Sequence, residues 1–384
     1  MASKLTICMV SDDFLPAATG VGTHIKLLAP ALVAAGYRVH VITTRRSNEP
    51  ETEVWQGVYL HRVFTVPAYG FYQALPSGRT IRRILDQVAP DVVHHHYVGY
   101  MMGRVCGIAR FRRIPQVSTY HFSSEVLTQP LLMRPFAPLV RRLLINYNNK
   151  FDLVIAPSRK LVDQIVSEGV RTPVRYITNP VVFEGGAAAK PAERGHGFTI
   201  LYAGRLGQEK NIGYLLKAFA GVLVSLPDAV VWIAGQGPEL DTLRRICRDL
   251  RIVDKVHFLG FLDHQTLATY YAACDVFVLP SLVETQGLVA MEAMRFARPV
   301  IVTKAIVSAH ELVEDGISGY VVDPASVQDL TDRLVRLGHE PTMRRSMGDA
   351  GYLRAEAYRP ELVVAETAIA YADAITACRR GSLG

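Results

Sequence analysis

Residues 276 to 294 run Val276-Phe-Val-Leu-Pro280-Ser-Leu-Val-Glu284-Thr-Gln-Gly287-Leu-Val-Ala-Met-Glu292-Ala-Met294. Val276–Pro280 is short and wholly apolar, the signature of a strand covered on both faces. From Leu288 onward the residues favour a helix, so a helix begins just after Gly287. Strand, glycine loop and helix in that order make one half of a βαβ unit. Glu284 then lies in the loop and Glu292 about one turn into the helix, among apolar neighbours. A carboxylate in such surroundings needs a partner; a functional role is the favoured reading and an ordinary salt bridge the alternative. At the helix start the N–H groups of Thr285, Gln286, Gly287 and Leu288 are open to oxygen ligands.

The same alternation recurs in both directions. It predicts strands at Thr199–Ala203, Ala229–Ala234, Lys255–Leu259, Val276–Pro280, Val300–Val302 and Tyr320–Val322 in the second half of the chain. In the first half it predicts Leu5–Ser11, Val39–Thr43, Val58–Val63, Val92–His96, Gln116–Tyr120, Leu153–Pro157 and Arg175–Thr178. Residues 182–197, VFEGGAAAKPAERGHG, interrupt the rhythm with glycine, alanine, proline and charge, as an exposed connection does. The fold class is therefore α/β with two Rossmann-like domains, 1–181 and 198–357, joined by a linker at 182–197. Ligands of such open sheets bind beyond the carboxyl ends of the strands.

With 384 residues, 49% hydrophobic and 20% charged, the composition excludes a disordered chain. The N-terminus enters a strand without a signal-peptide pattern, and no apolar run approaches the roughly 18 to 20 residues that cross a bilayer. Five scattered cysteines without a CxxC pair suit reduced thiols rather than a disulfide or zinc framework. These features point to the cytoplasm. The formal charge is +7, and the window 101–150 holds eight basic residues and one acid, so the whole excess is local.

Two further glycine loops follow predicted strands. Gly20-Val-Gly22-Thr opens a helix after Asp12-Asp13, where exposed N–H groups and the helix dipole suit an anion; as a bare pattern, a plain tight turn explains it better. Ala203-Gly204-Arg205-Leu-Gly-Gln-Glu-Lys210-Asn places two cations at a strand's carboxyl end, where a diphosphate leaving group needs charge. Two solvated surface cations are the plainer reading of the pair in isolation.

Taken together, Glu284-x7-Glu292, Gly204-Arg205 with Lys210, Gly235-Gln-Gly237-Pro, Gly20-x-Gly22 and the central linker resemble, in order and over nearly the whole chain, the family 4 retaining glycosyltransferases of GT-B fold. The resemblance implies two Rossmann-like domains facing across a cleft, with a C-terminal helix within 358–384 returning to the first. It implies no cofactor, a nucleotide-diphosphate sugar as substrate, and a hexose, most commonly from UDP, as the group moved. Arg205 and Lys210 look like the diphosphate clamp and Glu284 like the carboxylate that touches the donor sugar. Glu292 resembles the one that holds the ribose, and Gly20, Gly22, Gly204, Gly235 and residues 285–288 the remaining donor contacts. His121, in Ser118-Thr-Tyr-His121, matches a histidine beside the donor sugar; a retaining reaction needs no opposite-face base, so positioning is its expected part. The family loop Glu-Pro-Phe-Gly is here Glu284-Thr285-Gln286-Gly287, a form similar to bacterial diacylglycerol glucosyltransferases.

The run His94-His95-His96 invites a metal, but strand geometry turns His95 away from its neighbours, and no metal motif is read from the sequence. Within the basic window, Leu139, Val140, Leu143, Leu144 and Tyr147 share one helical face with Arg141 and Arg142 beside it. Such a helix, with basic residues 104–150, suits an anionic membrane surface at the inner face of the cell membrane. Packing of that face on its own domain is the alternative. A soluble or cell-surface saccharide acceptor is the rival substrate reading. A non-catalytic basic binding protein is a rival of another class, and nucleic acid is not expected because no recognition helix or base-stacking motif is evident.

Overall fold

The computed structural model describes residues 4–15, 20–46, 48–68, 71–96, 98–121, 135–181 and 197–380. Its chain forms two compact units, one of residues 1–180 with 359–384 and one of residues 181–358. Residues 182–196 of the expected linker lie outside the described residues.

In the first unit the order is β1 (Thr6–Val10), α1 (Gly20–Ala34), β2 (Arg38–Thr44), β3 (Thr52–Trp55), β4 (Val58–Val63), β5 (Thr65–Ala68), β6 (Phe71–Ala74), α2 (Gly78–Val88), β7 (Val92–His95), α3 (Tyr100–Phe111), β8 (Gln116–Thr119), α4 (Ala137–Asn148), β9 (Leu153–Ala156), α5 (Arg159–Ser167) and β10 (Val174–Tyr176). The sheet runs β10-β9-β8-β7-β1-β2-β4-β3, parallel except for β3 at the edge. The periodicity missed β3 because its side chains are largely exposed on both faces. It also missed the β5-β6 hairpin, a separate two-stranded pair without a buried alternating face. Parallel strands buried on both sides give near-continuous apolar runs, and β1 and β9 are buried at every position. That is why the seven other strands were legible.

The second unit continues with β11 (Thr199–Ala203), α6 (Ile212–Ser225), β12 (Val230–Ala234), α7 (Leu240–Asp249), β13 (Val256–Gly260), α8 (His264–Ala273), β14 (Val276–Leu279), α9 (Leu288–Arg295), β15 (Val300–Thr303), α10 (Ala309–Leu312), β16 (Gly319–Val322), α11 (Val327–His339) and α12 (Pro341–Ala355). Its six strands are all parallel, in the order β13-β12-β11-β14-β15-β16. Strand order reverses between β11 and β14, the point at which open α/β sheets take their ligands. In the first unit the corresponding point lies between β1 and β7.

The last helix, α13 (Pro360–Arg380), belongs to the first unit. Its Val363, Val364, Ala370, Tyr371 and Ala374 join Ile7, Ile25, Leu28 and Val117 in one core cluster. Burying a side chain the size of Tyr371 or Val363 contributes about 1.5–3 kcal/mol. The Tyr371 hydroxyl meets His94 Nδ1 at 2.9 Å, so the helix is tied to the sheet by a buried polar contact as well.

Candidate functional site

At the switch point of the second unit, β11 leads into Gly204, Arg205 and a single 3-10 turn at Gln208–Lys210. The loop after β14 is tied to this turn by the Leu282 N–H donating to the Glu209 carbonyl at 2.8 Å. That bond brings Glu284 against Lys210, whose Nζ donates to Glu284 Oε2 at 2.5 Å. Both side chains are about four-fifths covered, so the attraction is screened less than on an open surface. Arg205 is more exposed and bonds Glu209 Oε1 at 2.6 Å. Both cations therefore carry a carboxylate partner. An arriving diphosphate would take Lys210 from Glu284 and leave Glu284 free to accept from a hydroxyl.

Gly204 and Gly235 end the adjacent strands β11 and β12 with φ of 148° and 136°. A Cβ on Gly235 would lie 1.8 Å from the Gly204 carbonyl oxygen, so no larger residue fits. Their N–H groups are spent on Ala234 and Gly260 carbonyls. These two glycines thin the turn rather than offer donors to a ligand.

The other feature suited to an anion is the start of α9. Gly287 has φ 77°, and a Cβ there would meet Leu279 at 2.8 Å. The N–H groups of Thr285, Gly287 and Leu288 make no hydrogen bond among the described residues. The Gln286 carbonyl accepts from Ser308 Oγ at 3.1 Å, and the Glu284 carbonyl accepts from the Val307 N–H at 3.0 Å. The loop is thus fixed through its carbonyls. One turn on, Glu292 is buried; its Oε2 accepts from the Tyr271 hydroxyl at 2.9 Å, and Oε1 lies 3.4 Å from His264 Nε2. Burial and the Glu292 charge push the Tyr271 phenol well above its ordinary value, so it stays a donor. Each carboxylate oxygen keeps a lone pair for a second hydroxyl. Sequence reasoning missed Tyr271 and His264 because both lie on α8, with no motif linking that helix to α9.

In the first unit, Gly20 and Gly22 form the first turn of α1 rather than a loop, and residues 16–19 before them lie outside the described residues. No atom lies within 4 Å of a Cβ placed on Gly20. The Gly22 N–H already donates to Asp13 Oδ2 at 3.1 Å, so the chain's own carboxylate holds one of the donors expected for a phosphate. Burial raises the Asp13 carboxyl, against the Gly22 bond and the charges of Lys26 and Arg46. Its neighbour Asp12 is pushed by burial to about 7.

His121 follows β8 and meets His96 Nδ1 through its Nε2 at 3.2 Å. His94 and His96 do share a side, with ring centroids 3.9 Å apart, whereas His95 turns to Gln116 and Phe151. The run does not converge on one point, yet His96 and His121 are joined by His24 from α1, the ligand atoms of the three lying within 4.8 Å of one another. Spacing along the sequence gave no hint of that group. The proposed membrane face is divided. Leu144 packs inward, while Phe136, Leu139 and Leu143 are exposed by 52%, 54% and 58%. Arg141 and Arg142 are exposed beside them, and Arg134 lies outside the described residues. Among the described residues no helix is long and apolar enough to cross a membrane.

Residues 18–184 match the model described as Glycosyltransferase Family 4, and residues 187–354 the model described as Glycosyl transferases group 1. The alpha-monoglucosyldiacylglycerol synthase of Acholeplasma laidlawii is 27% identical over 97% of this chain and 98% of its own. The protein of the same description from Streptococcus pneumoniae is 29% identical over 77% of this chain and 70% of its own. Among solved structures, Anabaena HepE in complex with UDP-glucose superposes with a TM-score of 0.75 at 17% identity, covering 96% of this chain and 99% of that one.

Proposed function

The chain belongs to the retaining family 4 glycosyltransferases of GT-B fold, and from that premise we propose that it moves a hexose from a UDP-sugar onto the hydroxyl of a membrane lipid such as diacylglycerol. The observation that carries the donor half is the meeting of Lys210 with Glu284 at the switch point of the second unit. Lys210 and Arg205 neutralise the diphosphate as the sugar–phosphate bond breaks. Glu284, released from Lys210, accepts from a sugar hydroxyl; Glu292 accepts from the ribose, with the N–H groups of Thr285, Gly287 and Leu288 given to the phosphate. His121 positions the sugar. The departing phosphate oxygen takes the acceptor's proton as the new bond forms on the same face, so no separate base is required. The choice of uridine draws on the structural neighbour that holds UDP-glucose.

The lipid half is supported by the two relatives described as alpha-monoglucosyldiacylglycerol synthases and by the exposed stripe Phe136-Leu139-Leu143 beside Arg141 and Arg142. Aromatic and leucine side chains next to arginine suit an anionic interface. The test is to incubate the protein with UDP-glucose and vesicles of anionic lipid containing diacylglycerol, and to look for a glycosylated lipid. Leu139→Ser with Leu143→Ser is expected to lower the rate on vesicles several-fold while sparing the rate on detergent-dispersed acceptor. Turnover of a soluble saccharide, with no lipid product under any dispersion, would move the acceptor assignment to the rival reading.

A further inference from the structure

Three histidines far apart in sequence meet in the first unit: His24 from α1, His96 just past β7 and His121 just past β8. We propose that they form a binding site for a divalent transition-metal ion of zinc's type, held by three imidazole nitrogens with the remaining position open to water or an anionic oxygen. The geometry is close to what coordination needs. His96 Nδ1 and His121 Nε2 are 3.2 Å apart, and two nitrogens bonded at about 2.0–2.1 Å to one tetrahedral ion stand about 3.3 Å apart. The His24 ring lies 4.8 Å from that of His121 and 5.2 Å from that of His96, centre to centre, so a small rotation of one ring brings the third nitrogen in.

The surroundings favour the ion over a proton. Metal binding requires neutral imidazole, and His24 and His96 are buried, which disfavours the charged form. His96 is 1% exposed, and its Nε2 has no hydrogen-bond partner among the described residues. His94 is not a ligand: its nitrogens are taken by the Tyr371 and Thr119 hydroxyls, and its ring buttresses that of His96. The buttress fixes ring orientation, as an outer shell does for metal-bound histidine. The three ligands are uncharged, so a bound dication keeps its full charge and Lewis acidity.

One consequence rests on the proposed part of His121 in holding the donor sugar. An ion that takes His121 Nε2 removes that contact, so zinc and donor compete. Binding itself is read without substrate, which keeps a failure of the metal site distinct from a failure of the transferase reading.

The experiment is titration of the chelator-stripped full chain with zinc by calorimetry, and with cobalt by its visible absorption, intense only in a tetrahedral-type site. One equivalent of either ion is expected. His24→Ala and His96→Ala should each weaken zinc at least tenfold and abolish the cobalt absorption. His40→Ala with His61→Ala, which removes the other close pair at 3.0 Å, should change neither. If His96→Ala proves unfolded by its thermal melt, His24→Ala and the cobalt spectrum of the unaltered protein decide the matter. Zinc bound equally by the unaltered protein and His24→Ala, or cobalt without its tetrahedral absorption, would overturn the site.

Discussion

The two units share a plan of parallel strands and covering helices but differ in what they bury. The first places His24, His94, His95 and His96 in its interior with Asp12 and Asp13. In the second, the described histidines, His257, His264, His310 and His339, are all exposed, and the core is one large aliphatic and aromatic cluster. Arg205, Lys210 and Glu284 sit on the turns and loops at the switch point, with Glu292 buried on α9 beside them. The second unit thus keeps its chemistry local and its core apolar, whereas the first builds polar groups into the sheet's own ends, where they cost stability under some conditions.

Acid is the strongest way to separate the two. A histidine whose folded pKa lies below its unfolded value supports folding above about 6.5 and loses that support as pH falls towards the folded value. His24 and His95, each lowered to about 4 by burial, contribute on the order of 3 kcal/mol apiece to this loss. Between pH 6.5 and 4 the first unit should open before the second. Hydrogen exchange is expected to lose protection in β7 and β8 while β11 and β14 remain protected; equal loss in both would erase the contrast.

Next in size is the local chemistry of the second unit. Lys210→Ala should lower kcat/KM for the sugar nucleotide by about a thousandfold with an unchanged thermal midpoint, measured by initial rates and a melt. A fall of less than tenfold would remove Lys210 from the clamp. In the first unit the sign is reversed for Asp12. A carboxyl raised to about 7 favours the fold below its unfolded value near 4, and that support is gone once pH rises through 7. Asp12→Asn should therefore raise stability at pH 8 by on the order of 2–4 kcal/mol, with the gain vanishing near pH 4. A gain independent of pH would exclude the titration as its cause. The smallest effect is expected at Tyr271→Phe. Loss of its bond to Glu292 should weaken nucleotide binding by about 1 kcal/mol, read by calorimetry, with little change in kcat.

The same contrast explains what was legible. Buried parallel strands announce themselves through unbroken apolar runs, and Gly204-Arg205, Lys210 and Glu284-Thr285-Gln286-Gly287 are short-range signals that one sheet edge gathers. The edge strand at 52–55 and the hairpin at 65–74 gave no such runs. His24, His96 and His121 meet only because α1, β7 and β8 are neighbours in space, which no spacing encodes. Tyr271 was silent for the same reason. The bond from Gly22 to Asp13 was hidden too, since a glycine pair at a helix start reads the same whether its amide faces a phosphate or the chain's own carboxylate.

Helix α13 is made of residues that come after the whole of the second unit, yet it completes the core of the first. Synthesis is vectorial, so every residue of unit 181–358 has left the ribosome before Tyr371 can reach His94. The later-starting unit can finish folding while the earlier one still exposes Ile7, Ile25 and Leu28 on an uncovered sheet face. The nascent chain therefore carries its sticky surface at the front until the last helix arrives, and the order of maturation runs opposite to the order of translation.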